Sequence, residues 1–226
     1  MSTKLIGTFD YPKEWKDYCY YTHSLYIKNQ HFRKWISDKD ISLFNFSNIK
    51  KDIKHIKLGI EDAIKTAKLH FKICYATDSK IKKMNITDEK ISSSKLLKTV
   101  AEERKKSHKE HANIYIFNKP IKSSNAIIED GEALTYVSEG VIIFTFDSFR
   151  KYLHKFLRRR AKHEALHLLG LNFHHDDIKV TGYSNDAACV MQYNAPTQYL
   201  CKKCKEALVY FWKGIEYETN GKFIKN

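Results

Sequence analysis

Apolar residues recur along this chain with two different periods, and the alternation between them outlines the fold. Between residues 48 and 72, Ile53, Ile56, Ile60, Ile64 and Leu69 return at near-helical spacing with lysines between them, which predicts a long helix. Short runs rich in β-branched and aromatic residues predict strands at 72–76, at ANIYIFN (112–118) and within 134–146, where LTYVSE and GVIIFTF are separated by Gly140. Residues 3–9 suggest a further short strand. Asn85 or Thr87 is placed to cap a helical region, and residues 94–110 predict a strongly charged helix. Asp147 or Ser148 is placed to cap a helix that runs to about Leu169, with Phe149, Leu153, Phe156, Leu157, Ala161, Ala165 and Leu168 on its apolar side. Gly170 is a natural terminator for it. A last helix is expected near 202–212. Residues 14–46 carry Trp15, Tyr18, Tyr20, Tyr21, Phe32, Trp35, Phe44 and Phe46 without one clean period, and read as core packing. The alternation of strands and helices implies an α/β fold.

Bulk properties narrow this picture modestly. A chain of 226 residues suffices for one substantial domain, or for a main domain with a small appendage. Only 8 glycines and 3 prolines leave little room for long flexible linkers. The formal net charge of +14 brings nucleic acid into consideration as a partner. It is not favoured, because the charge is spread widely and no recognisable reading element accompanies it. No apolar stretch is long enough to span a membrane. The first residues lack the apolar core of a signal peptide, so a cytoplasmic, reducing location is expected. The five cysteines, Cys19, Cys74, Cys189, Cys201 and Cys204, are odd in number and include a tight CxxC, which suits metal binding better than a disulfide framework. Cys19 and Cys74 have no ligand pattern near them and read as small core residues.

The chemistry concentrates in residues 163–204. His163 and His167 are four apart on the predicted helix, so both imidazoles share one face and can donate to one Zn²⁺. Glu164 lies between them in His163-Glu164-Ala165-Leu166-His167, where the HExxH arrangement uses it as a base against the metal's water. The pattern is short and can arise by chance. Leu166, Leu168 and Leu169 mark this helix as largely buried, however, and burying two histidines and a glutamate without partners is costly. A third ligand is required, and His174 or His175 can supply it after the turn at Gly170. His154 is nine residues before His163, about 13 Å along a helix axis, too far to join directly. His108 and His111 lie in a charged stretch and read as surface residues. Cys201 and Cys204 form the knuckle that commonly provides half of a structural zinc site, with buried thiols or a redox pair as the alternative.

HEALHLLGLNFHH resembles the extended zinc signature of the metzincin superfamily, and Cys189-Val190-Met191 with Cys201-Lys202-Lys203-Cys204 brings the resemblance to the archaemetzincin family of zinc metallopeptidases. It covers about residues 134–210. The resemblance implies a metzincin-like α/β fold. A mixed twisted sheet would pack with long helices, and the active-site helix would end at a glycine turn. Residues 1–170 would form an N-terminal subdomain and 171–226 a small zinc-stapled C-terminal one. It implies two Zn²⁺ ions, one catalytic and one structural. His163 and His167 would bind the catalytic ion, Glu164 would be general base, and Met191 would form a floor beneath the metal. Two departures matter. Phe173 stands where the family has its third histidine, so His174 is assigned by one extra residue in the turn. His175 then replaces the first cysteine of the second site, giving His175, Cys189, Cys201 and Cys204, with Asp176 and Asp177 the less favoured fourth ligands. Tyr193, two residues after Met191, resembles the tyrosine that gives an oxyanion contact in some metzincins.

The function implied is hydrolysis of peptide bonds in a peptide or protein substrate, by zinc-activated water with Glu164 as base. A strand within 134–146, with Gly131 and Gly140 near its ends, would align the substrate by backbone hydrogen bonds. The alternatives are a catalytically weak zinc scaffold that binds peptide or protein, and a basic zinc-containing nucleic-acid-binding protein. Nothing in the residues bears on oligomeric state.

Overall fold

The structure is a computed structural model. It describes residues 9–16, 30–47, 49, 52–77, 79–107, 110–124, 127–128, 132–146, 153–175, 188–193 and 195–219. Elements alternate as the apolar pattern implies. Helix α1 (Gln30–Asp38) leads into β1 (Asp40–Asn45), α2 (Ile53–Thr66), β2 (Lys72–Tyr75), α3 (Ser79–Thr87), β3 (Ile91–Ser92) and α4 (Ser93–Ser107). Strands β4 (Ala112–Phe117), β5 (Ile121–Lys122), β6 (Ile127–Ile128), β7 (Ala133–Tyr136) and β8 (Val141–Thr145) follow, then α5 (His154–Leu168) and α6 (Lys202–Thr219).

The fold is α/β, built on a mixed sheet in the order β2-β1-β4-β8-β7. β1 runs parallel to β2 and β4, and β4 parallel to β8. Among the described strands of this sheet only β7 is antiparallel, joined to β8 by a hairpin, and it is the last in the order. A small second sheet, β3-β5-β6, stands apart. The central strands are covered on both faces, which explains why β4 and β8 are near-continuous apolar runs. Alternate residues serve opposite layers. Ile114, Ile116, Ile142 and Phe144 pack with α2 and α5, whereas Tyr115, Phe117, Val141 and Ile143 pack with Leu96 and Val100 of α4.

Helix α2 presses closely on α5. A Cβ at Gly59 would collide with the Arg158 carbonyl and with Ala161, so glycine is what permits this approach. Arg158 reinforces the contact with a two-pronged hydrogen bond to Asp62, at 2.6 and 2.9 Å. Gly170 has φ +125°, and a Cβ there would run into the Phe211 ring. The chain therefore reverses after α5 only because this position lacks a side chain.

Several sequence expectations need correction. The helix ending at Leu168 starts at His154, with extended Leu153 at its N-cap position and no side-chain cap. Asp147, Ser148 and Phe149 lie outside the described residues. Asn85 and Thr87 close α3 rather than open a helix, and the Asn85 amide donates to the Phe46 carbonyl. The aromatic stretch 14–46 contains a helix, α1, and a strand, β1, so no single period runs through it. α2 is shorter than 48–72 and α6 longer than 202–212. Trp15, Trp35 and Phe44 are buried as core, while Cys19, Tyr18, Tyr20, Tyr21 and His108 lie outside the described residues. His111 is only partly exposed, beside Asp38 and Asp40. Among the described residues no helix is long and apolar enough to cross a membrane.

Candidate metal centre

Helix α5 positions the first cluster. Leu157, Ala161, Ala165 and Leu168 anchor it in the core, so His163, Glu164 and His167 are carried inside with them. The two imidazoles are each oriented by a backbone carbonyl. His163 Nδ1 lies 2.6 Å from the Val190 oxygen, and His167 Nδ1 lies 2.6 Å from the Leu171 oxygen. A carbonyl can only accept, so both Nδ1 atoms carry the proton and both Nε2 atoms present lone pairs. Those Nε2 atoms are 3.0 Å apart. Two facing lone pairs at that distance repel unless a cation lies between them. Tetrahedral zinc with Zn–N bonds of about 2.0–2.1 Å brings two nitrogens to about 3.3 Å, close to this separation.

His174 completes the group. The ligand atoms of His163, His167 and His174 all lie within 4.8 Å of one another. Phe173 instead packs against the core, so the turn after Gly170 presents the later residue to the cluster. Burial pushes the His167 pKa down to about 4, with His163 and His174 acting in the same direction against Glu164 and the Leu171 carbonyl. The imidazole is thus neutral at pH 7, as a metal ligand must be.

Glu164 is buried beside them. Burial by itself raises a carboxyl pKa, but His167, His163, Arg160 and the Thr135 hydroxyl outweigh it and hold Glu164 below its ordinary value. Thr135 Oγ1 donates to Glu164 Oε2 at 2.8 Å, and Arg160 Nη1 stands 3.8 Å from Oε1. Thr135 belongs to β7, so the edge strand is tied directly to the cluster. Neither partner was picked out from sequence. Arg160, four residues before Glu164 on one helix face, was legible there; Thr135 depended on a register that sequence does not reveal.

The second cluster gathers His175, Cys189, Cys201 and Cys204, all buried and all with ligand atoms within 4.8 Å of one another. Cys189 Sγ to Cys204 Sγ is 3.8 Å, too long for a disulfide. His175 Nδ1 lies 3.5 Å from Cys201 Sγ and 3.8 Å from Cys204 Sγ. Tetrahedral zinc with Zn–S bonds of about 2.3 Å gives edges of about 3.8 Å for S···S and about 3.5 Å for N···S, so the donor set fits. Asp176 and Asp177 lie outside the described residues.

One tight segment joins the clusters. The His175 amide donates to the Met191 carbonyl at 2.8 Å, and Val190, whose carbonyl orients His163, follows Cys189 directly. Met191 is fully buried. Tyr193 is half exposed and stacks on His174, with centroids 3.8 Å apart at 24°. A cavity of about 80 Å³ opens between His163, Tyr193, Gln192 and the two arginines Arg159 and Arg160.

No protein-family model matches this chain, and no curated protein sequence matches it. Among solved structures it is similar to the crystal structure of a zinc-dependent peptidase from Methanocorpusculum labreanum, with 15% identity, a TM-score of 0.40, and coverage of 74% of this chain and 99% of that one. That likeness is too distant to carry a functional argument. What stands on this chain's own geometry is narrower: an α/β fold holding two clusters, His₃ and Cys₃His, each with the donor set of a zinc site.

Proposed function

We propose that this chain is a two-zinc protein of archaemetzincin-like, metzincin type, and that its His₃ cluster is the centre of a metallopeptidase. The observation that carries the reading is the pair of Nε2 atoms 3.0 Å apart, both with their Nδ1 partners committed to carbonyls. His163, His167 and His174 would hold one zinc and leave a coordination position for water or substrate; His175, Cys189, Cys201 and Cys204 would hold the other, with every position filled by protein. The boundary between the subdomains falls at residue 170, where Gly170 reverses the chain. A cytoplasmic setting agrees with three thiols kept available as ligands.

Bound zinc supplies Lewis acidity and lowers the pKa of water to about 7. Glu164, ionised and adjacent, would take a proton from the water whose oxygen adds to the peptide carbonyl and would return it to the amine nitrogen as the C–N bond breaks. Thr135 and Arg160 hold that carboxylate in place. Tyr193 keeps His174 oriented by stacking, and its phenol is offered as the oxyanion contact. The β7 edge, bound to Glu164 through Thr135, would receive an extended peptide.

A second reading, a zinc scaffold that binds a peptide or protein without efficient cleavage, is favoured by one feature. Glu164 is already engaged by Thr135 and faces Arg160, which lowers its strength as a base. One experiment separates the two. Zinc content and cleavage of a peptide library are measured for the wild type and for Glu164→Gln. The peptidase reading expects retained zinc and a loss of rate of about 10²–10⁴-fold. Equal cleavage by the variant defeats it, and zinc content with peptide binding but no turnover in the wild type selects the scaffold.

A further inference from the structure

A third constellation lies outside both clusters, where α2 and α5 begin. Asp52 is the residue before α2, His55 is in its first turn, and His154 is the first residue of α5. Their ligand atoms all lie within 4.8 Å of one another. His154 Nε2 is 3.2 Å from Asp52 Oδ1, and the His55 and His154 rings lie nearly parallel with centroids 3.9 Å apart.

We propose that Asp52, His55 and His154 form a third binding site, for a divalent transition-metal ion of the zinc class, which fastens the start of the helix carrying His163 and His167 to α2. Two imidazoles and a carboxylate are the donors that zinc, copper or nickel take, whereas magnesium and calcium ask for oxygen throughout. A separate observation points to a missing partner. His55 Nε2 is buried and makes no hydrogen bond. A buried ring nitrogen ordinarily finds a partner, and metal ligation is one way to provide it. The His55 pKa is also held below its ordinary value, first by burial and then by His154, which favours the neutral form that binds metal.

Exposure and nearby positive charge make this site weaker than the two clusters. His154 is 62% exposed, so the ion keeps much of its contact with water. Lys54 and Arg158 add positive charge nearby, although Arg158 is neutralised by Asp62. The N-terminal ends of two helices also disfavour a cation. Asp52 offsets these effects, and the exposed His154 side chain has room to rotate away from the stack and bring its nitrogen to the ion. Occupancy would resist separation of α5 from α2 in proportion to free metal. The proposal does not rest on hydrolysis.

The test uses full-length protein whose tightly held zinc has been retained through gel filtration. Zinc chloride is then titrated calorimetrically into the wild type, His154→Ala and His55→Ala. The expected result is one further zinc equivalent of micromolar affinity in the wild type, lost in both variants, with the tightly held zinc content unchanged. The same zinc addition raises the melting temperature of the wild type only. His154 is exposed and opens a helix, so its replacement by alanine leaves folding intact. Absence of the further equivalent in the wild type, or its retention in either variant, overturns the proposal.

Discussion

The two clusters are held by one stretch of chain, yet they differ in what surrounds them. His175, Cys189, Cys201 and Cys204 are all buried. In the other cluster His163 and His167 are buried, His174 is half exposed, and a small cavity opens at His163. The donors differ as well: three soft thiols with one imidazole against three imidazoles beside an ionised carboxylate. Closed coordination by thiolates suits a structural ion, and open coordination by neutral nitrogens suits one that must admit another ligand. Adjacent residues His174 and His175 divide between them, one in each cluster.

The sharpest way to break this contrast is to remove one ligand from each cluster. Structural zinc in small modules contributes binding free energy of about 10–16 kcal/mol that is also folding free energy. Cys201→Ala should therefore abolish a cooperative thermal transition, read by circular dichroism, and release the zinc. His174→Ala should lower zinc content by one equivalent and leave the transition in place. Should the His174 variant unfold and the Cys201 variant stay folded, the roles are reversed.

A smaller effect is expected from pH. The His167 pKa in the folded state, about 4, lies below its ordinary 6.5. Between these values the unfolded chain binds more protons than the folded one, so this contribution is complete above about pH 6.5 and is lost as pH falls towards 4. Its size is on the order of 3 kcal/mol. Urea unfolding of the His174→Ala protein at pH 7, 6 and 5.5, with its zinc content measured at each pH and found constant, reads the start of this decline. A midpoint that does not move towards lower urea over that interval contradicts a neutral buried His167.

The smallest expected change concerns Thr135. Valine keeps its shape and removes the donor to Glu164 Oε2. A hydrogen bond to a charged group is worth about 1.5–3 kcal/mol, part of which appears as a higher Glu164 pKa. Thr135→Val should shift the acid limb of the pH–rate profile upward with little change in zinc content. An unmoved acid limb would mean that Thr135 serves only to pack β7 against α5.

The order of legibility follows the range of the interactions. Helix α5, the strands β4 and β8 and the turn at Gly170 were readable because each is written in neighbouring residues: a period, an apolar run, a glycine. The candidate ligands were readable from residue chemistry together with short spacings. Helix α1 and strand β1 were not: α1 has few apolar positions over its nine residues, and β1, as long as β4, breaks its apolar run with Asp40, Ser42 and Asn45. Asp52, His55 and His154 illustrate the limit most plainly, since 102 positions separate Asp52 from the histidine beside it.

By itself, then, the sequence determined which residues are able to bind metal and which local turn brings the third histidine back towards the first two. Tertiary structure decided the rest. Packing of α5 buries His163 and His167 and lets the distant Val190 carbonyl choose the tautomer of His163. Strand order puts β7 at the edge and its Thr135 on Glu164, and chain reversal at Gly170 sends His174 and His175 to different clusters. These are contacts between residues far apart in sequence, and only the folded chain brings them within bonding distance.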